Sequence, residues 1–507
     1  MKTLKRLLVL LLTICMILPV VACGGGEENC THDNSVICKK CGVIVLGDDY
    51  YSNMVKSTNS VISKGKGIKM EASGTVNVVL DEETGTFHYE DVNGDYQKLI
   101  APNVDGEISM DITYGFKKDG KLYADGDMAC NFEMKDNQGK ALIKADINSE
   151  SLKFENNKLN YKIVSIVKLP TLSDAEKQLN EENVVIEDSI DLSENPEVGA
   201  ILDQMVPTVL EAYTDTIVPY VNGIIDVNKK DIGLAVAGVL DTLCTVSKDG
   251  TNNVFTMTKL GGHLKKLPTM LDTKVSVVVD DILGAGTYDK LPETVEKLLD
   301  TKLEDVLKTL EAKGIKIDEL VGVADEVIKK VAGEEASLEA LIGFDLVGAI
   351  DNLDKTKTIK QIIVNYGVTE QQIEEFIEQL GTILKEYKDK SVYEILNNVI
   401  GTEITKEQKD LIKEVVDAVA DFIDETITVK LTADKNGNVL SYEYGIKLDG
   451  SSEAFNGVLD VVDKFVNFPY VGEGQTSPEE VQYNAIVNIL SSVKCKITYK
   501  TSFVSLA

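Results

Sequence analysis

From Ile68 the chain alternates between apolar and polar positions. Ile68, Met70, Ala72, Gly74, Val76, Val78 and Leu80 fall on one side, and Lys69, Glu71, Ser73, Thr75 and Asn77 on the other. A period of two is the signature of a strand with one face turned to a core and one to water. The pattern returns at Ile108, Met110, Ile112, Tyr114 and Phe116, and after an Asp119-Gly120 turn at Leu122, Ala124, Met128, Cys130, Phe132 and Met134. Two further strands carry Ile143, Ala145, Ile147 and Leu159, Tyr161, Ile163, with Asn156-Asn157 marking the turn between them. Residues 66–170 therefore read as an antiparallel β-meander that is apolar on one face.

A one-sided sheet must bury its apolar face, and the chain next supplies helices. Residues 171–288 read as helices plus a β return. The acidic stretch 173–191 is expected to be a linker, and Asn195-Pro196-Glu197 supplies a cap and a first-turn proline. A hairpin is expected over 244–258 around Lys248-Asp249-Gly250, and a strand over 274–279. Residues 289–425 are helical in pattern and contain a weak repeat. Lys357-Thr358-Ile359-x-x-Ile362-Ile363 leads to Thr369-x-x-Gln372, and Lys390-Ser391-Val392-x-x-Ile395-Leu396 leads to Thr405-x-x-Gln408. Thr301-Lys302-Leu303 begins a poorer third copy. Each T-x-x-Q is a capping box that opens a helix.

Alternation resumes in 426–507, with Ile427, Val429, Leu431 and Leu440, Tyr442, Tyr444, Ile446 flanking an Asn436-Gly437 turn. Ser477-Pro478-x-Glu480 opens a helix, and Cys495, Ile497, Tyr499 and Phe503 form a last strand. The expected class is α+β: a large curved antiparallel β-sheet packed by helices, with a helical-bundle insertion and C-terminal strands completing the sheet.

The N-terminus adds an address. Lys2, Lys5 and Arg6 precede an apolar run from Leu7 to Pro19, then Val20-Val21-Ala22-Cys23 and Gly24-Gly25-Gly26. This resembles the signal peptide of bacterial lipoproteins, whose lipobox ends in a cysteine that receives a diacylglyceryl group. The resemblance implies removal of residues 1–22, lipidation of Cys23 and a flexible tether over 23–29. The apolar run is short for a membrane span, and no later stretch of eighteen apolar residues exists. The expected location is the extracytoplasmic face of a cell membrane, held there by lipid.

Charge narrows the partners. The chain has 83 acidic and 52 basic residues, and loss of the leader's three positive charges takes the formal net charge from -31 to -34. Such a surface is repelled by phosphate backbones, which excludes nucleic acid. Arg6 is the only arginine, so the mature chain lacks a guanidinium fork for phosphate or carboxylate clamps. Histidines number three. His88 reads as a strand position and His263 as a turn, and neither sits in a nucleophile-activating context.

Cys30-Thr31-His32 and Cys38-Lys39-Lys40-Cys41-Gly42 place four soft or borderline donors within twelve residues. The spacing fits a closed tetrahedral zinc site on Cys30, His32, Cys38 and Cys41, and segment 30–42 resembles the short zinc ribbons and knuckles of bacterial proteins. A full set of four protein ligands leaves no open position, so such a zinc is structural. Disulfide pairing of Cys30 with Cys38 or Cys41, and free thiols, remain the alternatives in an oxidising compartment. Cys130, Cys244 and Cys495 are expected to be buried thiols.

Other motifs fail. Thr432-x-Asp434-x-Asn436-Gly437 echoes a calcium loop but lacks its first acid, and Ser63-x-x-Lys66 has none of its companion motifs. The sheet-and-helix plan resembles in architecture the half-barrel lipoproteins that carry lipids. Three functions follow in order: a non-enzymatic binder of a ligand such as a lipid, held between sheet and helices; a structural or protein-interaction lipoprotein of the envelope; and a hydrolase using paired carboxylates.

Overall fold

The computed structural model describes residues 36–38, 43–80, 86–90, 96–100, 103–136, 138–170, 172–173, 177, 182–283, 286–333, 335–343, 345–468 and 477–507. The chain divides into two compact units: Met1–Lys56, Asp215–Thr242 and Lys265–Lys413 form one, and Ser57–Thr214, Leu243–Leu264 and Glu414–Ala507 the other.

The second unit holds every strand. These are β1 (Lys66–Val78), β2 (Thr86–Glu90), β3 (Tyr96–Ile100), β4 (Asn103–Phe116), β5 (Leu122–Lys135), β6 (Ala141–Glu155), β7 (Lys158–Lys168), β8 (Glu182–Asp191), β9 (Cys244–Asp249), β10 (Asn252–Met257), β11 (Ile427–Ala433), β12 (Val439–Asp449) and β13 (Val493–Ser505). Eleven form one curved antiparallel sheet in the order β8-β7-β6-β5-β4-β1-β13-β12-β11-β10-β9, and β2 and β3 form a separate hairpin. The fold is α+β, as the period change predicts. The C-terminal strand β13 lies inside the sheet, paired with β1 from Lys66↔Ser505 to Val78↔Val493 and with β12 on its other side. It fastens the N-terminal meander to the strands that follow the helical insertion.

Local chemistry sets the register. Asn156 and Asn157, at φ 51° and 61°, close the β6–β7 hairpin in the left-handed region that asparagine tolerates. Bulges at Gly126/Met128, Met134/Lys135 and Ser149/Ser151 shift the pairing of β5, β6 and β7 and bend the strands that carry them. Helices pack on the sheet. Phe255, Ala433 and Val439 are buried on strands, and Leu210, Ala212, Ala420, Phe455 and Val461 on helices. By contrast, Gly115 is the only buried residue among the described residues of β4 to β8.

Three expectations are corrected. The acidic stretch 173–191 is not a plain linker, because Glu182–Asp191 is the edge strand β8. The β-branched run Val184-Val185-Ile186 decides its conformation, and at an edge the neighbouring acids stay in water. Residues 274–279 are not a strand: Lys274 makes a single bridge to Ser391 and Val275–Leu283 is a helix. A short apolar run reads alike in both conformations. His263 lies in the helix Leu260–Leu264 rather than a turn, while His88 is a strand position opposite Lys98.

The first unit is helical. Thr369 and Ser391 form complete capping boxes with Gln372 and Glu394. The repeat acquires a structural meaning here. Lys302 bridges Thr358 and Lys274 bridges Ser391, so the openings of repeat-like segments pair antiparallel, two by two. Thr273-Lys274-Val275 is thus a further copy that helix propensity alone does not reveal. Tyr288 anchors the bundle, its hydroxyl donating to the Leu384 carbonyl at 2.8 Å.

Candidate functional site

The sheet's two faces differ in chemistry across its width. On the polar face, lysines and carboxylates form a ladder. Lys69 lies 2.9 Å from both Glu71 and Asp111, and Lys135 reaches Asp105 at 2.6 Å and Glu133 at 3.1 Å. Lys144 reaches Glu133 at 2.6 Å, and Lys117 and Lys153 both pair with Glu155. Lys144 and Lys135 hold the Glu133 carboxyl below its ordinary value, and Lys117 and Lys153 hold Glu155 down at about 2. A hollow of about 460 Å³ on this face is lined by Asn77, Asp105, Glu107, Glu133, Lys144 and Asp146; lysines pair with Asp105 and Glu133, and its lining as a whole is acidic.

The opposite face is apolar and open. Reading across the register, Ile446 of β12 stands opposite Ile497 of β13, which stands opposite Gly74 of β1. The row continues through Ile108 of β4, Cys130 of β5 and Ile147 of β6. Ile446, Ile497, Ile108 and Ile147 are 42 to 48 % exposed. Six adjacent strands thus present one apolar row, roughly 24 Å wide at the usual strand spacing, that is exposed among the described residues. The next row sets Tyr444 against Tyr499, with ring centroids 6.4 Å apart, and Met110 against Met128.

A hollow of about 280 Å³ lies in this face, lined by Val76, Ile108, Cys130, Phe132, Cys495 and Ile497. Glycines make its floor. A Cβ on Gly74 would come 2.8 Å from the Ile108 Cγ2, and one on Gly106 would come 2.8 Å from the Val76 Cγ1. The absent side chains are what create the depression. Its volume is near the lower end of the roughly 300–1,000 Å³ of ordinary ligand pockets, and its lining is almost wholly apolar.

Two cysteines expected to be buried belong to this surface. Cys130 is exposed and Cys495 half-buried, and both are free, as is Cys244, whose thiol burial pushes up. The correction has a plain cause: burial was inferred for an apolar face on which, among the described residues, Ile108, Cys130 and Ile147 of β4 to β6 stay exposed. What sequence reasoning missed is Gly74 and Gly106, whose strand positions carry no signal of a cavity.

The predicted metal ligands are only partly visible. Cys23, Cys30, His32 and Cys41 lie outside the described residues. Cys38 is described: it is 1 % exposed, on a short segment that pairs with residues 43–45. Its N–H donates to the Val43 carbonyl at 2.9 Å, the Val45 N–H donates to Val36 at 3.0 Å, and Ile37 bridges Ile44. The Ile37 N–H also donates to Asp241 at 3.2 Å, which ties the segment to the helical unit. Among the described residues, no group of three or more His, Cys, Asp or Glu side chains is placed to hold a metal ion. The Thr432 segment is a hairpin turn in which the Asp434 carboxylate accepts the Asn436 and Asn438 N–H groups, so its acid is occupied by the backbone.

Among the described residues, no helix is long and apolar enough to cross a membrane. No protein-family model, curated protein or solved structure matches the chain.

Proposed function

We propose that this chain is a non-enzymatic, lipid-anchored binding protein of the extracytoplasmic membrane face. Cys23 carries the lipid, and the β-sheet takes a hydrophobic ligand, such as a lipid, on its apolar face. The observation that carries the reading is the row from Ile446 to Ile147 with its glycine-floored hollow. An exposed apolar surface this continuous costs free energy in water, at about 25 cal/mol per Å², unless a ligand covers it. The ion-pair ladder on the other face leaves that side water-compatible, so binding is confined to one face. In the same proposal Cys30, His32, Cys38 and Cys41 hold a structural zinc ion, supported by the burial of Cys38.

Native mass spectrometry of the mature chain tests both parts. A lipid-sized mass lost on denaturation, and reduced in a Gly74→Leu variant, is the expected result. One zinc ion that disappears when Cys38 or Cys41 becomes serine is expected for the metal. A bare protein mass after purification from its native membrane would remove the ligand reading.

A second reading, an envelope partner docked on the helical insertion, draws on Tyr366 and Val399. They occupy equivalent positions in the two repeat copies and are 76 and 73 % exposed. It predicts that Tyr366→Ser with Val399→Ser abolishes function while lipid binding persists.

A further inference from the structure

An antiparallel sheet that does not close has two edges, and here they are unlike. The β9 edge is six residues long and ends in Lys248 and Asp249, a short charged edge of the kind that resists pairing. The β8 edge runs for ten residues. From Asn183 to Ile190 every residue is exposed, on both faces. Ile186 stands beside Ile163 on one face, and Val185 beside Val164 on the other, with Val185 56 % exposed. Among the described residues, no strand lies beside the row of backbone N–H and C=O groups turned away from β7. Apolar side chains above and below such a row are what an added strand needs for its alternating residues.

Charge selects the occupant. β8 carries Glu182, Glu187, Asp188 and Asp191 and no basic residue. Two copies paired edge to edge would face eight carboxylates with no lysine on either β8, the nearest cations being Lys158 and Lys162 on each β7, and like charges facing across strands are destabilising. We infer that β8 is a docking edge for an extended segment of a protein partner in which β-branched residues alternate with lysines. The partner strand pairs its backbone with β8, lays its apolar residues along Val184, Ile186 and Ile190, which share one face and are 40 to 48 % exposed, and sets its lysines on the other face, against Glu187 and Asp191. This site is separate from the Gly74 hollow, and neither depends on the other.

The test is amide hydrogen exchange of the mature full-length chain with a nine-residue capped peptide of alternating lysine and valine. Exchange across 182–191 is expected to slow by about tenfold at saturation. Replacing Glu187 by Gln, a surface change on the face that meets the lysines, is expected to weaken the peptide by about threefold, and added salt to do the same. Three results would overturn the inference: no slowing in 182–191, equal slowing by the peptide with glutamate in place of lysine, or slowing without peptide that grows with protein concentration. The last would assign the edge to a second copy of this chain.

Discussion

Gly74 on β1 stands directly opposite Ile108 on β4, so close that a Cβ on the glycine would lie 2.8 Å from the isoleucine Cγ2. Ile108 is about half exposed, so it can swing towards solvent when crowded. Gly74→Leu is therefore expected to fold, with a small change in the urea midpoint, while filling the hollow. Displacement of a fluorescent fatty acid should show affinity falling by about tenfold or more, that is at least about 1.4 kcal/mol. Wild-type affinity in this variant would place the ligand elsewhere.

Gly126 presents the opposite case. A Cβ there would lie 2.2 Å from the Asp111 carbonyl oxygen and 2.7 Å from the Ile112 Cα, both backbone atoms of the neighbouring strand. Neither can rotate away, and the position adjoins a bulge. Gly126→Ala is expected to destabilise the sheet unit by about 1–3 kcal/mol, read from urea unfolding. An unchanged midpoint would mean that β4 and β5 shift apart freely.

Acid should act through Glu155. Lys117 and Lys153 hold its carboxyl at about 2, against an ordinary 4.5. A carboxyl lowered in the folded state contributes its stability above the ordinary value and loses it as pH falls from about 4.5 towards 2. Glu155→Gln should flatten the pH dependence of thermal unfolding in that window and leave it unchanged near pH 7 in shape. The group is solvent-facing, so salt should reduce the difference.

The capping boxes in the helical unit give a separable measurement. The Ser391 and Thr369 hydroxyls accept the Glu394 and Gln372 N–H groups, each at 3.2 Å. Ser391→Ala and Thr369→Ala should each cost about 1 kcal/mol. The double variant should cost nearly the sum if the two helices unfold together, and a much smaller sum would show one fraying alone.

Period-two alternation in Ile68 to Leu80 and in Ile108 to Phe116 specified strands and their apolar face, because side-chain direction in a strand depends only on parity. The caps at Asn195, Thr369 and Ser477 were legible for a similar reason: a hydroxyl or amide reaches an N–H two or three residues on, whatever the tertiary context. The candidate site was half legible. The methionines and isoleucines of the apolar face could be read, but not that it is open. Burial of Cys130 was expected because the sequence cannot tell whether a helix covers a given strand.

By itself, then, the sequence determined most of the main sheet's strands, though not β8, together with their faces, the helical insertion and the acidic surface, all of which follow from neighbours a few residues apart. Tertiary structure alone decided that β13 sits between β1 and β12, that Gly74 and Gly106 adjoin one hollow, and that β8 forms an edge. Those facts depend on which strands pair, and pairing joins residues far apart in the chain whose side-chain patterns are nearly interchangeable. Val184-Val185-Ile186 would read the same in a central strand, where it would be core. At the edge it is an exposed apolar surface.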